Sequence, residues 1–187
     1  MHGSTTAQWI TAVSAVVALL GALVAILDNR RTARQRLAYE YVARLEDPEL
    51  IAHQATMSSF LRGGLQPPGI SDEHWATLDQ AARRDTAGDT WRRLVESPNV
   101  EDRERLLRIL VYPNMLEGLA GMYNHGLLDR AIIKTHVESE ARDFWQAAGW
   151  WLDEVRSEPE SNTFRDIEVM MEDLAKRKRP AWYHRES

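Results

Sequence analysis

A long apolar run near the start of the chain constrains its fold and location more than any other feature. No residue from Gly3 to Leu27 carries a formal charge, and Trp9–Leu27 has the sequence WITAVSAVVALLGALVAIL. A helix rises 1.5 Å per residue, so about 20 apolar residues cross the roughly 30 Å hydrocarbon core of a bilayer. The run therefore predicts one transmembrane helix, with the aromatic Trp9 at the membrane interface.

The charges that follow this run predict its orientation. A single acid, Asp28, is followed by the arginines Arg30, Arg31, Arg34 and Arg36. Positive charge is retained on the cytoplasmic side, so we expect the N-terminus outside, the rest of the chain in the cytoplasm and these arginines at lipid headgroups. A cleaved signal peptide is the alternative, but it has positive charge before the run and a small-x-small site after it. The charge order favours the membrane anchor.

Small side chains recur at four-residue spacing along the apolar run. They are Ser14, Ala18, Gly21, Ala22 and Ala25. Small residues on one face let two helices approach closely in lipid, where packing drives association. This face predicts self-association through the span, although alanine is also simply abundant in the run.

Composition narrows the class of protein. The chain has 187 residues, a net charge of −5 and no cysteine. The length after the span suffices for one domain with a core. The acidic charge disfavours nucleic acid as a partner. The absence of cysteine excludes disulfides and thiolate chemistry, and suits a reducing cytoplasm.

Apolar residues after the span recur at helical spacing, and no strand pattern appears. We predict an all-α fold, with one N-terminal transmembrane helix followed by a cytoplasmic bundle of about five to six helices. The chain divides into the tail and span (1–28), juxtamembrane helices (29–62), a Gly/Pro linker (63–70), the bundle (71–156), and an amphipathic helix with a basic, disordered tail (157–187).

Capping residues predict several helix ends. Asp47-Pro48 and Ser71 have the character of helix starts, and Gly63 and Gly126 of helix stops. The predicted elements are a break at Gly88-Asp89, a buried helix over 100–124, an unbroken helix over 129–155, and a last helix from Thr163 with Asp166 completing a capping box.

The segment from the end of the span to about Arg156 resembles a known family. Its most characteristic part has the sequence MLEGLAGMYNHGLLDRAIIKTHVESEARDFWQAAGWWLDEVR, in which Glu117 is embedded in an apolar helix and Asp129 closes a short turn. This plan is similar to the bacterial single-span proteins grouped as the domain-of-unknown-function family numbered 4760. The resemblance implies a single-pass protein of the inner (plasma) membrane and brings no known activity.

Glu117 is the most informative titratable residue, because its carboxylate lies on an otherwise apolar helix. Such a group is either paired or has a raised pKa. We expect a structural ion pair with Arg130 or Arg142 of the following helix, and a functional carboxylate is the alternative.

No other cluster predicts catalysis or a cofactor. His136 and Glu140 stand four residues apart, with Asp143 one turn further, a spacing that a metal site can use. Since the core positions of that helix are taken by other residues, we expect these polar groups near solvent. We therefore predict no metal, no cofactor and no catalytic residue.

Two of the seven tryptophans, Trp145 and Trp150, lie off the apolar stripe of their helix. Exposed aromatic side chains often anchor protein partners, whereas a second core layer explains the pair equally well.

The sequence thus favours a membrane-anchored, non-enzymatic module that self-associates or binds a protein partner. A membrane-perturbing effector that oligomerises through its span, as in bacterial defence systems, is one alternative. An enzyme using Glu117 or the region of His136 and Glu140 is the other.

Overall fold

The computed structural model describes residues 3–64, 70–156 and 162–176, with side chains from residue 18 onward. The predicted all-α class is confirmed, since these residues form eight helices and no strand. The helices are α1 (Gly3–Leu45), α2 (Pro48–Leu61), α3 (Asp72–Thr77), α4 (Gln80–Glu96), α5 (Val100–Asn124), α6 (Arg130–His136), α7 (Glu138–Val155) and α8 (Arg165–Lys176).

The predicted helix starts follow local capping chemistry. The Asp47 carboxylate accepts a hydrogen bond from the N–H of Glu49 at 2.8 Å, directly before Pro48 begins α2. The Ser71 hydroxyl likewise accepts from the N–H of His74. Because each cap satisfies an N–H that the helix leaves unpaired, these boundaries were predictable from the sequence.

Two predicted features of the bundle are wrong. Helix α4 continues through Gly88 without a break, and the break lies earlier, where Asp79 caps α4 by accepting from the N–H of Ala82. The segment 129–155 is two helices, which meet at Val137 with φ −117° and ψ −24°. Seven helices therefore follow α1 in the described residues, against the five to six predicted.

The last helix also starts later than predicted. Helix α8 begins at Arg165, after Phe164, which has a φ of 58°. A bulky residue in this left-handed region is unusual, and it turns the chain sharply into the helix.

Helix α5 lies at the centre of the bundle and packs chiefly against α8 and α2, with α4 beside them. The apolar residues that α5 buries in the core lie in its second half, from Ile109 to Tyr123, whereas most of its first half is exposed. The end of α1 joins the same core through Ala38, Val42 and Leu45, all of which are buried. One core therefore unites the end of α1 with the rest of the bundle.

Part of the apolar run lies outside the residues whose side chains the structure describes. Side chains of residues 9–17, which include Ser14, lie outside the described residues, as do residues 65–69 of the predicted linker and the predicted basic tail beyond Lys176. Among the helices as far as they are described, none has the length and apolar character needed to span a membrane.

Alanine at Gly63 is expected to lower the free energy of unfolding by about 1–2 kcal/mol. Gly63 has a φ of 67°, and a Cβ atom there would lie 2.7 Å from Cβ of Arg83. Gly118→Ala is the matched control, because that helical position is open and alanine favours a helix by about 0.5–1 kcal/mol. Chemical denaturation of both variants tests this, and equal shifts would contradict it.

Candidate functional site

The Glu117 carboxylate caps the start of a helix that is distant in sequence. Its two oxygens accept hydrogen bonds from the N–H groups of Asp166 at 3.1 Å and Ile167 at 3.0 Å, at the first turn of α8. These are N–H groups that a helix leaves without an internal partner, and a carboxylate there also meets the positive end of the helix dipole. Glu117 therefore fixes the position of α8 on α5.

The expected ion pair of Glu117 with Arg130 or Arg142 is wrong. Arg130 lies 3.6 Å from Asp173, and Arg142 pairs with Glu138 one turn before it on α7. The embedded glutamate satisfies its charge with backbone N–H groups instead, which removes the need for an arginine.

Further polar contacts fasten α8 to the end of α5. The Tyr123 hydroxyl donates to Asp173, and the Asn124 amide donates to the side chain of Asp166 at 2.8 Å. We call Glu117, Tyr123 and Asn124 the α8 clasp. Beneath the clasp, apolar side chains of α8 are buried, namely Ile167, Met170, Met171 and Leu174. The clasp thus adds directional contacts to a hydrophobic interface.

The two off-stripe tryptophans are half-buried against the core. The indole N–H of Trp150 donates to the Leu61 carbonyl at 3.1 Å, and its ring lies 5.5 Å from that of Phe60. The guanidinium of Arg156 lies 5.8 Å from the ring centre of Trp145. Trp150 therefore packs against α2 of the same chain, which favours the interpretation that it belongs to a second core layer.

His136 lies on the surface, where its ring packs edge-on against Tyr39 at 6.3 Å. Glu140 and Asp143 lie on α7 and are exposed. Nowhere in the described part of the chain do three His, Cys, Asp or Glu residues cluster in a way that could hold a metal.

A cleft opens between α2, α5 and α7. Its volume is about 130 Å³. Residues of α2 form one wall and acidic residues of α7 the other, with Tyr112 of α5 between them. The lining comprises Gln54, Ser58, Leu61, Arg62, Tyr112, Glu140, Asp143, Phe144 and Ala147. The cleft therefore carries charges of both signs.

Tyr112 is the unusual member of this lining. Its side chain is 2 % exposed, and its hydroxyl faces the Gln54 side chain. Burial raises the pKa of this hydroxyl, as do the negative charges of Glu140 and, to a lesser degree, Asp143, while the nearby Gln54 amide acts against them. The pKa of Glu140 is itself raised, first by desolvation and then by Glu46 and Asp143. The acidic wall thus concentrates negative charge beside a buried polar group.

Sequence reasoning did not identify Tyr112, Gln54 or Arg62 as site residues. One signal was present, because Gln54 occupies a position in the apolar stripe of α2 beside Met57 and Leu61. A polar residue at such a position indicates either a core hydrogen bond or a polar cavity.

The residues of α1 that were predicted to self-associate or to contact lipid headgroups are exposed. Along α1 this holds for the small residues with described side chains and for the four arginines, namely Ala18, Gly21, Ala22, Ala25, Arg30, Arg31, Arg34 and Arg36. A Cβ atom at Gly21 would meet nothing within 4 Å. Two of the arginines also have contacts within the chain, since the Arg34 carbonyl accepts a hydrogen bond from the Asp129 N–H at 3.3 Å and Arg36 pairs with Glu40 at 3.2 Å.

The described residues form an all-α bundle at the end of a long helix. The model of a family described as a domain of unknown function (DUF4760) matches residues 10–174. The chain belongs to this family. No curated protein and no solved structure matches it significantly.

Proposed function

We propose that the protein is a non-enzymatic helical module that Trp9–Leu27 anchors in the inner membrane of a bacterium. Its N-terminus faces outward, its bundle lies in the cytoplasm, and it self-associates through the span. One observation carries the proposal. Large apolar side chains of α1 are 52 to 71 % exposed, and they are Leu19, Leu20, Leu23, Val24, Ile26 and Leu27.

Such a contiguous apolar surface is unfavourable in water and is typical of contact with lipid or protein. The charge order adds the orientation, since Arg30 and Arg31 follow the run immediately. Because α1 continues without a break to Leu45 and enters the core, the bundle would move with its anchor as one body.

Membrane association is tested by charging this surface. The triple variant Leu20→Arg, Leu23→Arg and Val24→Arg is expected to leave the membrane pellet, because each arginine in a span costs about 2.5–3.5 kcal/mol. A matched triple variant introduces arginine at three exposed positions of the bundle, Val95, Val100 and Leu107. This control should stay in the pellet after carbonate extraction. Equal distribution of both variants between pellet and supernatant would contradict the anchor.

Orientation is tested with single cysteines, because the chain has none of its own. In intact cells, a membrane-impermeant thiol reagent should label Ser4→Cys and should label Ser187→Cys only after lysis. The reverse pattern would overturn the proposed orientation.

Self-association is tested with two cysteines on opposite faces of the span. Ala18 lies on the small-residue face, and Leu20 lies about 200° around the helix. Under mild oxidation in membranes, Ala18→Cys is expected to form a disulfide-linked dimer and Leu20→Cys to stay monomeric, since the bond needs Cα atoms within about 7 Å. Equal cross-linking, or none in either variant, would contradict association through this face.

A further inference from the structure

The turn between α5 and α6 lies where α1 leaves the bundle. The Asp129 N–H, at the end of this turn, donates a hydrogen bond to the Arg34 carbonyl of α1 at 3.3 Å. From Arg34 back to residue 18 every described side chain of α1 is exposed, whereas Ala38, one turn further on, is fully buried. The edge of the bundle is therefore level with Arg34, and the α5–α6 turn lies at that edge.

Helix α6 runs from this edge away from the apolar run. Asp129 at its start bonds Arg34. His136 at its end packs against Tyr39, which lies further along α1. The residues just before Asp129 are therefore on the side of the bundle that faces the run. One of them, Leu127, is 50 % exposed, so a large apolar side chain is accessible at this end of the bundle.

The turn is close enough to reach a bilayer spanned by the run. Helix α1 is unbroken between Leu27, where the run ends, and Arg34, and this stretch is about 10 Å long. The headgroup layer extends roughly 5–7 Å beyond the hydrocarbon core. Membrane helices are tilted by about 20° on average, which brings one side of an attached domain closer to the bilayer. Leu127 can therefore enter the headgroup layer.

The charges beside the turn match an anionic surface. Arg31 and Arg34 precede the buried Ala38 by seven and four residues, so helical spacing places both on the side of α1 that faces the bundle. Both side chains are exposed. The acid of the turn, Asp129, accepts hydrogen bonds from N–H groups at the start of α6. Because guanidinium groups bind phosphate oxygens well, this side of α1 attracts anionic lipid headgroups.

We propose that the α5–α6 turn is a second membrane contact, in which Leu127 inserts among the headgroups and Arg31 and Arg34 bind phosphates of anionic lipids. An apolar side chain beside basic residues is typical of contacts at a membrane interface. The contact holds the bundle against the cytoplasmic leaflet in one orientation. This inference rests on the proposed membrane anchor and adds that the bundle itself touches the bilayer.

The test uses the full-length protein in vesicles of phosphatidylglycerol and phosphatidylcholine. Because the chain has no cysteine, an environment-sensitive fluorophore can be attached at Leu127→Cys alone. Lipids with a nitroxide near the headgroup should quench it several times more strongly than the same label at Val100→Cys. That control is an exposed position at the other end of α5, about 36 Å from Asn124. Equal quenching at the two positions would overturn the second contact.

A label within the run separates this contact from the anchor. Val24→Cys should be quenched by a nitroxide deep in the acyl chains. If it is quenched and Leu127→Cys is not, the anchor stands and the second contact is wrong. If Val24→Cys is not quenched, both proposals are wrong. A blue-shifted emission at Leu127→Cys without nitroxide quenching would mean that a protein surface covers the turn, which also contradicts the lipid contact.

The contribution of Leu127 is measured with the label at His125→Cys, an exposed position of the same turn that leaves the leucine in place. Adding Leu127→Glu should lower the quenching to the level found at Val100→Cys. Leu107→Glu places the same charge at an exposed leucine of α5 and should leave the quenching unchanged. If the two leucine variants behave alike, the role given to Leu127 is wrong.

The contribution of charge is measured with the label at Leu127→Cys. Combining Arg31→Gln with Arg34→Gln should weaken the contact, by about fivefold for each arginine near an anionic surface. Arg84→Gln with Arg103→Gln removes two exposed arginines of the bundle and should have no effect. Vesicles of phosphatidylcholine alone should also weaken the contact of the original arginines. Undiminished quenching in either case would contradict headgroup binding by Arg31 and Arg34.

Discussion

Alanine in place of Trp151 is expected to lower the free energy of unfolding by about 3–5 kcal/mol. The side chain is fully buried, and its ring centre lies 5.2 Å from that of Phe164 and 5.4 Å from that of Trp91. Phe144 lies 6.5 Å away. Truncation leaves a cavity between α4, α7 and the segment before α8, and it removes three favourable ring contacts at once.

Chemical denaturation of the full-length chain, followed by circular dichroism, measures this loss. Trp145→Ala is the matched control, because that ring is only half-buried at the edge of the core and should cost about 1–2 kcal/mol. Trp151→Phe should fall between them, since it loses volume but also removes a buried N–H without a partner. A loss at Trp151 no larger than that at Trp145 would contradict this view of the core.

Local chemistry explains why most helix boundaries could be predicted. Asp47 and Ser71 were correctly predicted as helix starts, because each side chain accepts a hydrogen bond from an N–H only two or three residues further along the chain. Gly126 marks the end of α5 because its φ of 67° is strained for other residues. The helix over 100–124 is confirmed, but the prediction that it is buried on all sides is wrong, because Val100, Leu107 and Val111 are exposed.

The errors arose where a tertiary contact outweighs local propensity. Glycine disfavours a helix, but α4 continues through Gly88, which is buried where a Cβ atom would lie 3.8 Å from the Trp150 ring. Val137 gave no sequence signal for a break. There α6 packs against α1 while α7 packs against α2 and α8, so the two segments follow different neighbours.

The candidate sites were likewise predictable where a local pattern marks them and unpredictable where a tertiary contact forms them. Glu117 was identified because a carboxylate on an apolar helix is unusual, whereas its partner on α8 lies 49 residues away. The pattern of Thr163 and Asp166 predicted a capping box within α8, but the Asp166 N–H is bound by Glu117. The cleft combines residues from three helices, and no local pattern brings Arg62 near Glu140.

Replacement of Glu117 with alanine is expected to lower the free energy of unfolding by about 2–4 kcal/mol. Both carboxylate oxygens accept hydrogen bonds from backbone N–H groups of α8, and hydrogen bonds to charged groups contribute more than neutral ones. Alanine leaves the N–H groups of Asp166 and Ile167 without this partner, and it also removes a negative charge from the positive end of the α8 dipole. Glu117→Gln should cost less, because its single amide oxygen still accepts one of the two bonds.

Hydrogen exchange distinguishes this effect from a general loss of stability. In Glu117→Ala, the amides of α8 should exchange faster than those of α4, because the broken contacts hold only α8 and let it open locally. Glu104→Ala removes the same charge from an exposed position of α5 and should change neither stability nor exchange measurably. Uniform acceleration along the chain would show that Glu117 supports the whole bundle. If Glu117→Ala instead behaved like Glu104→Ala, the carboxylate would not be what holds α8 in place.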